Sequence, residues 1–180
     1  MNLLMRYGVV AVLSIAALMP GLLLAETKSE YVLGSGDLIR VLVYGEEDLT
    51  LEAQLTDSGS LSYPFLGDIQ LNGMTAKKLE QTIDRGLRGD YLVDPRVSVL
   101  ILQYRPFFIN GEVNQPGGIA FQPGLTVRKA VSLAQGFTER ASKRNIFIIS
   151  DSDPGQRPHR TTLNAPVKPG DIITVEQAFF

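Results

Sequence analysis

A six-residue phrase, Gly-Asp-(Leu/Ile)-Ile-x-Val, occurs twice in this chain and constrains its fold more than any other feature. The copies occupy residues 36–41 and 170–175. In each copy glycine allows a positive φ, aspartate can form local hydrogen bonds, and the β-branched run that follows favours a strand. We therefore predict two turns that each lead into a strand. Side chains alternate between the two faces of a strand, so the residues expected in the core are Ile39, Val41, Ile173 and Val175.

The N-terminal segment has the layout of a secretory signal peptide. Arg6 precedes an almost wholly apolar stretch over residues 7–25, and the small Ala25 is followed by the polar Glu26. A basic start, an apolar run and a small final residue predict cleavage between Ala25 and Glu26. A retained membrane anchor is the alternative, since the run reaches the ~17–25 residues that span a bilayer.

The composition of the remaining chain is that of an ordinary globular protein. Removing residues 1–25 from the 180-residue chain leaves 155 residues, enough for one domain or two small ones. Loss of Arg6 leaves 16 basic against 19 acidic side chains, a net charge of −3, and no basic stripe indicates nucleic-acid binding. The chain has no cysteine, which excludes disulfides and a lipid-modified cysteine.

Periodicity in the first half predicts one helix among several strands. Strands are expected at 38–43, 68–71 and 97–102, and a hairpin is expected from 53–56 and 61–63. The continuous apolar run at 97–102 is typical of a central strand covered on both faces. Thr75 is expected to cap a helix whose buried stripe is Leu79, Ile83 and Leu87.

A composition shift at residues 103–106 predicts a boundary between two domains. We expect domains at 26–104 and 105–180, each pairing a short helix with several strands in an α+β arrangement. In the second domain, strands are expected at 107–113, 146–149 and 172–175, with a helix that begins at Thr126 and ends near Gly136.

The order and spacing of these short motifs resemble two known domain families. The first half is similar to the polysaccharide biosynthesis/export domain, a mixed sheet plus a helix, and the second to the β-grasp-like SLBB (soluble ligand binding β-grasp) domain. The motif positions in the first half are Gly34, Gly36, Asp37, Pro64, Gly67, Gly73, Thr75 and Pro95. Those in the second half are Gly111, Pro116, Gly117, Gly136, Gly170 and Asp171.

The resemblance implies a non-enzymatic subunit of an outer-membrane polysaccharide export machine. Such proteins form homo-oligomeric rings around a conduit for capsular polysaccharide or exopolysaccharide. They contact an inner-membrane polysaccharide co-polymerase, often a tyrosine autokinase. Many members carry a lipid-modified cysteine and a C-terminal pore helix, and this sequence has no cysteine and only five residues after Val175. We therefore expect a short periplasmic member of the family that is associated with the outer membrane. A separate outer-membrane β-barrel porin is expected to complete the export path of the polysaccharide.

Residues with catalytic or metal-binding chemistry are few. His159 is the only histidine and lies in a polar loop, so we predict a solvated side chain. The phrase at 34–36 precedes a strand instead of opening a helix, which favours a turn over a phosphate loop. Asp151 and Asp153 lack the additional oxygen ligands of a calcium loop. We predict no catalytic residue, no cofactor and no metal.

One alternative function stays open from the sequence. The SLBB-like half could act as a periplasmic module that binds a saccharide or small ligand without forming a conduit. With no tryptophan in the chain, tyrosine and phenylalanine would have to supply any ring that stacks on a sugar. The polar loop 151–160 is expected either to line a lumen or to form an interface.

Overall fold

The computed structural model describes residues 31–178, which contain ten strands, two α-helices and one 3-10 helix. The strands are β1 Leu38–Val43, β2 Leu51–Gln54, β3 Ser60–Tyr63, β4 Gly67–Gln70, β5 Val97–Gln103, β6 Phe107–Gly111, β7 Gly117–Ile119, β8 Ala141–Ile149, β9 His159–Arg160 and β10 Ile172–Gln177. The helices are α1 Ala76–Leu87 and α2 Val127–Leu133, with the 3-10 helix at Glu47–Leu49. The predicted α+β fold is confirmed. The predicted signal peptide and its cleavage site lie outside the described residues.

Two separate hydrophobic clusters divide these elements into two modules. The first module comprises β1 to β5 with α1, and the second comprises β6 to β10 with α2. In the first, a sheet of order β2-β1-β5 packs with α1, and β3 and β4 form a separate hairpin. The predicted core positions on β1 and α1 are buried: Ile39, Val41, Leu79, Ile83 and Leu87. Thr75 caps α1 as predicted, its hydroxyl accepting the Lys78 N–H at 3.3 Å.

The predicted hairpin between 53–56 and 61–63 is wrong. β2 pairs with β1, and β3 pairs with β4. Leu55 extends the pairing of β2 along the first turn, because its N–H donates to the Asp37 carbonyl and its carbonyl accepts the Gly36 N–H, both at 2.8 Å. The turn between β2 and β3 therefore connects two different sheets.

The prediction of a central, doubly covered strand at 97–102 is also wrong. β5 is the edge strand of the described sheet, with Val99 buried while Leu100 and Leu102 are 44% and 41% exposed. The carboxylate of Glu80 on α1 accepts the Val99 N–H at 2.8 Å, which occupies part of the free edge. The sheet differs from the mixed one expected here, since the pairings among β1, β2 and β5 are antiparallel.

The second module is a five-stranded mixed sheet of order β7-β6-β10-β8-β9. Its central strand, β10, runs parallel to β6 and antiparallel to β8. The predicted core residues Ile173 and Val175 are buried and belong to the same cluster as the apolar residues of α2. Gly111 has a φ of 81°, and a Cβ there would collide with the Val175 carbonyl oxygen. That close approach requires glycine at the end of β6.

The motif positions singled out in the sequence fall mainly at turns and element ends. Those with a φ between 66° and 149° are Gly36, Gly67, Gly73, Gly111, Gly117, Gly136 and Gly170. Pro64 lies in the β3–β4 turn, and Pro95 and Pro116 lie in loops that precede β5 and β7.

Candidate functional site

The two copies of the repeated phrase form matching turns at 34–37 and 168–171. In each turn the fourth residue donates its N–H to the carbonyl oxygen of the first, at 3.2 Å in both cases. The third residue is Gly36 in one turn and Gly170 in the other, with φ values of 89° and 84°. A positive φ at the third position is the reason that both copies need glycine there.

The aspartate that ends each turn is buried and closes it with its side chain. The Asp37 carboxylate accepts the Gly34 N–H at 2.9 Å, and the Asp171 carboxylate accepts the Lys168 N–H at 2.7 Å. Asp37 is 0% exposed and Asp171 is 3% exposed. A buried carboxylate is tolerated only when hydrogen bonds or an opposite charge satisfy its oxygens.

Asp37 obtains its remaining partners from two residues, Tyr31 and Arg105. The Tyr31 hydroxyl donates to its carboxylate at 2.6 Å, and the Arg105 backbone N–H donates at 2.8 Å. The Arg105 guanidinium lies 3.4 Å from Asp37 and donates to the Tyr31 hydroxyl oxygen at 2.7 Å. Burial and the neighbouring Asp37 carboxylate raise the pKa of Tyr31, so the phenol keeps its proton and acts as a donor.

Arg105 connects the two modules by lying between the two turns. Its Nη1 faces Asp37 of the first module, while its Nη2 donates to Asp151 of the second module at 2.8 Å. A Cβ on Gly34 would collide with the guanidinium, and a Cβ on Gly170 would lie 3.0 Å from Nε. The Nε atom is buried without a hydrogen-bond partner among residues 31–178. The guanidinium therefore fills the space that the two glycines leave open.

Aromatic contacts reinforce the same junction. The Tyr104 ring packs edge-on against Tyr31 at a centroid distance of 5.0 Å and against Phe121 at 5.4 Å. Tyr31 packs against the first hydrophobic cluster and Phe121 against the second. Edge-to-face pairs of this kind stabilise by roughly 0.5–1.5 kcal/mol each beyond area burial. Tyr104 and Arg105 together hold the two modules in one arrangement.

Asp171 has a different electrostatic environment from Asp37. Its carboxylate accepts the backbone N–H groups of Lys168 at 2.7 Å and Asp151 at 3.3 Å. Burial raises the pKa of Asp171, and these backbone donors offset only part of that effect.

The tip of the β3–β4 hairpin carries an exposed and strained aromatic residue. Phe65 has a φ of 64°, a left-handed conformation that costs a non-glycine residue of order 1–3 kcal/mol. Its side chain is 65% exposed and packs against the ring of Tyr91 at 4.9 Å. Phe65 lies between the motif positions Pro64 and Gly67 of this turn, and no local sequence pattern reveals that its side chain is exposed.

The acidic residues considered for metal binding lie in a turn, whereas His159 lies on β9 instead of in the predicted loop. The Asp153 carboxylate accepts the N–H groups of Gly155 at 3.0 Å and Arg157 at 3.2 Å. These backbone donors lower the pKa of Asp153. The His159 side chain is exposed, and its Nε2 lies 3.7 Å from the Asp153 carboxylate. Across residues 31–178 there is no cluster of three or more His, Cys, Asp or Glu side chains arranged to hold a metal ion.

Neither helix in the described part of the chain has the length and apolar character required to span a bilayer.

Comparison with known sequences identifies two family matches in tandem. A family described as polysaccharide biosynthesis/export protein matches residues 25–102, and the SLBB domain matches residues 106–158. Tyr104 and Arg105 fall between the two matches.

Two curated proteins illustrate the sequence similarity of this chain to known proteins. The exopolysaccharide production protein ExoF of Rhizobium meliloti (strain 1021) is 36% identical over 152 residues, which cover 76% of this chain and 32% of that protein. The EPS I polysaccharide export outer membrane protein EpsA of Ralstonia nicotianae is 26% identical over 196 residues, covering 87% of this chain and 50% of that protein. The chain thus spans half or less of the length of these relatives.

Proposed function

We propose that this chain is a non-enzymatic subunit of a capsular polysaccharide or exopolysaccharide export machine. The reason is that it belongs to the polysaccharide biosynthesis/export family and carries an SLBB domain. The tandem family match carries this proposal. It is supported by relatives whose names refer to exopolysaccharide production and polysaccharide export. The matched family consists of export proteins and not of enzymes. Transport would then depend on shape and on weak contacts with the sugar chain.

The subunit is proposed to assemble into an oligomeric periplasmic ring or conduit. In a closed ring each subunit presents two different surfaces, and the angle between them sets the number of subunits. The junction at Arg105 supports such a role, because a buried ion pair with Asp37 and the aromatic contacts of Tyr104 fix the relative orientation of the modules.

A contact surface for the neighbouring subunit is proposed on the outer face of the β2-β1-β5 sheet. Leu100 and Leu102 are exposed on β5 at the edge of this sheet. Adjacent exposed apolar side chains at a sheet edge are typical of interaction surfaces.

The proposed location is the periplasm, after cleavage between Ala25 and Glu26. One relative is named as an outer membrane protein, which favours a place in the cell envelope. The partners proposed are an inner-membrane polysaccharide co-polymerase with its tyrosine autokinase, an outer-membrane porin and the polysaccharide itself.

Two measurements test this function. Deletion of the gene is expected to abolish surface polysaccharide while intracellular precursor persists. The mature protein, alone or with its co-polymerase, is expected to form a closed oligomer by native mass spectrometry. Normal export in the deletion strain, together with a strictly monomeric protein that binds oligosaccharide tightly, would favour the ligand-binding alternative.

A matched pair of variants tests the proposed contact surface. Leu100→Glu places a charge on the outer face of β5 and is expected to dissociate the oligomer. Leu133→Glu introduces the same change on α2, where the leucine is 42% exposed compared with 44% for Leu100. The oligomer of the Leu133 variant is expected to persist. Equal behaviour of the two folded variants would exclude this face as the subunit contact.

A further inference from the structure

A groove on the second module has four basic residues, from three different elements, among those that line it. Arg128 belongs to α2, Lys143 and Arg144 to β8, and Arg160 to β9. Residues 161–164, Thr-Thr-Leu-Asn, complete the lining, and the volume of the groove is about 590 Å³. The groove shares none of these residues with the Arg105 junction.

Neutral acceptors hold two of the four cations in place. Arg160 donates to the Arg144 carbonyl oxygen at 3.1 Å and to the Asn145 side-chain oxygen at 2.7 Å. Arg128 donates to the Asn164 side-chain oxygen at 3.2 Å. None of these acceptors carries a charge, so the hydrogen bonds orient the guanidinium groups without neutralising them.

No carboxylate compensates this charge within the described part of the chain. The salt bridges formed among residues 31–178 involve none of the four groove cations. Four basic residues around one groove are unusual in a chain whose predicted mature form has a net charge of −3. Four like charges in one concavity repel one another, and an anion bound there would relieve that repulsion.

The backbone around the groove is fixed before any ligand arrives. The Thr161 N–H donates to the Ile146 carbonyl, and the Arg128 N–H donates to the Leu163 carbonyl, both at 2.8 Å. These bonds attach the 161–164 segment to β8 and to α2. A preorganised wall lowers the entropy cost of binding.

We propose that this groove binds a segment of acidic polysaccharide through the carboxylates of its sugar residues. Arginine binds carboxylate in a planar, two-pronged geometry, and Arg144 and Arg160 both line the groove. The hydroxyls of Thr161 and Thr162 and the amide of Asn164 suit the hydroxyl groups of a sugar ring. The volume is within the range of about 300–1,000 Å³ usual for ligand sites.

The inference rests on the proposed export function and specifies the class of polymer. The groove cations are exposed, and exposed charge pairs are weak and screened by salt. Contacts of this strength would let a long acidic chain bind at several places and still move. A tight site would instead stall its passage.

The binding test uses three short probes on the mature protein. The probes are tetragalacturonate, with one carboxylate on each sugar, maltotetraose as the neutral saccharide, and tetraglutamate as an acidic peptide. Chemical-shift titration is expected to show tetragalacturonate binding at least about tenfold more tightly than either other probe, with affinity falling as salt rises. Equal binding of maltotetraose, or tighter binding of tetraglutamate, would overturn the proposal.

A charge-matched pair of double variants locates the site. Arg144→Gln with Arg160→Gln is expected to weaken tetragalacturonate binding at least about tenfold. The control, Arg140→Gln with Arg157→Gln, removes the same charge from exposed positions on the same module, where the two arginines pair with Glu112 and Asp153. It should change tetragalacturonate binding less than about twofold. Equal loss in both would indicate a net-charge effect and contradict a defined groove. If the first variant unfolds, Lys143→Gln alone still tests it, with an expected loss of about threefold.

Complementation separates this inference from the proposed function. Normal surface polysaccharide in the deletion strain would defeat the export function itself. If deletion blocks export but the Arg144/Arg160 double variant restores it fully and binds tetragalacturonate like the wild type, the groove inference fails and the export function stands.

Discussion

The turns at 34–37 and 168–171 have the same backbone hydrogen bonds, yet their buried aspartates are satisfied in different ways. Asp37 receives the Tyr31 hydroxyl and the Arg105 guanidinium in addition to backbone donors. Asp171 receives the backbone N–H groups of Lys168 and Asp151. A short local phrase is thus sufficient to specify the turn, but the charge that accompanies its carboxylate comes from elsewhere in the chain. Of the two aspartates, only Asp37 forms an ion pair with a cation at the module boundary.

The largest expected difference between the two turns is in the stability lost when each aspartate side chain is removed. Asp37→Ala removes the buried acceptor shared by the Tyr31 hydroxyl, the Arg105 guanidinium and two backbone N–H groups, so we expect a loss of roughly 3–5 kcal/mol in the free energy of unfolding. Asp171→Ala leaves only backbone donors unsatisfied and should cost roughly 1–3 kcal/mol. Urea denaturation followed by circular dichroism measures both. Equal losses would mean that Arg105 adds nothing to the first turn.

Replacing Arg105 tests whether it couples the modules. Arg105→Met keeps much of the side-chain volume but leaves the Asp37 carboxylate without its cation, and we expect a loss of roughly 2–4 kcal/mol. Protease cleavage near residues 103–106 should also accelerate, because the junction loses its link to Asp151. Asp151→Asn is the control. Its carboxylate is 48% exposed, so its ion pair should contribute less than about 1 kcal/mol.

Gly34→Ala probes the contact between the first turn and Arg105. The added Cβ would collide with the guanidinium, and we expect a loss of roughly 1–2 kcal/mol in unfolding free energy. In an Arg105→Met background that collision is absent, so most of the loss should disappear. A double-mutant cycle measures the difference. Additive effects would show that Gly34 is needed for some other reason.

The pH dependence of stability should report on Asp171. Burial raises its pKa in the folded state, so the folded protein holds this proton more strongly than the unfolded chain does. The stabilisation is complete below the unfolded pKa of about 3.9 and is lost as the pH rises through the folded pKa. The stability of Asp171→Asn relative to the wild type should therefore increase with pH above about 4. Denaturation across a pH series checks this, and a constant difference would contradict it.

The smallest expected effect concerns the second position of each turn. Pro169 occupies that position in one turn and Ser35 in the other. Ser35→Pro should raise the free energy of unfolding by about 0.4–1 kcal/mol, because proline restricts the unfolded chain. Pro169→Ser is the reciprocal control and should lower it by a similar amount. Ser35→Ala removes the hydrogen bond that the Ser35 hydroxyl donates to the Asp57 carboxylate and is therefore a second control. Loss of stability in Ser35→Pro beyond that of Ser35→Ala would show that the two turns differ in backbone conformation.

Features specified within a few residues could be predicted from the sequence. The alternation around Ile39 and Ile173, the cap at Thr75 and the start of a helix at Thr126 were all confirmed, since each depends on adjacent groups. Strand partners could not be predicted in the same way. An apolar run such as 97–102 has the same sequence pattern whether one face of the strand is covered or both. Only the tertiary arrangement determines how many faces are covered.

The candidate sites depended on distant parts of the chain and were therefore missed. The composition shift at 103–106 marked a boundary, but it could not show that the Arg105 guanidinium lies between two turns. The groove cations are equally hidden. Arg128 and Arg160 are far apart in the sequence and Arg144 lies between them, so no basic stripe is visible until the sheet brings them together.

The central position of β10 also determines the order in which the protein can be assembled from its chain. In the first module β1 can pair with β2 early, but its other edge stays unpaired until β5 has been made. β6 is synthesised about 60 residues before β10, which later separates it from β8. Until then β6 and β8 each expose an unpaired edge, and such edges recruit other chains. The second module therefore has two unpaired inner edges until its last strand is made, whereas the first module has one.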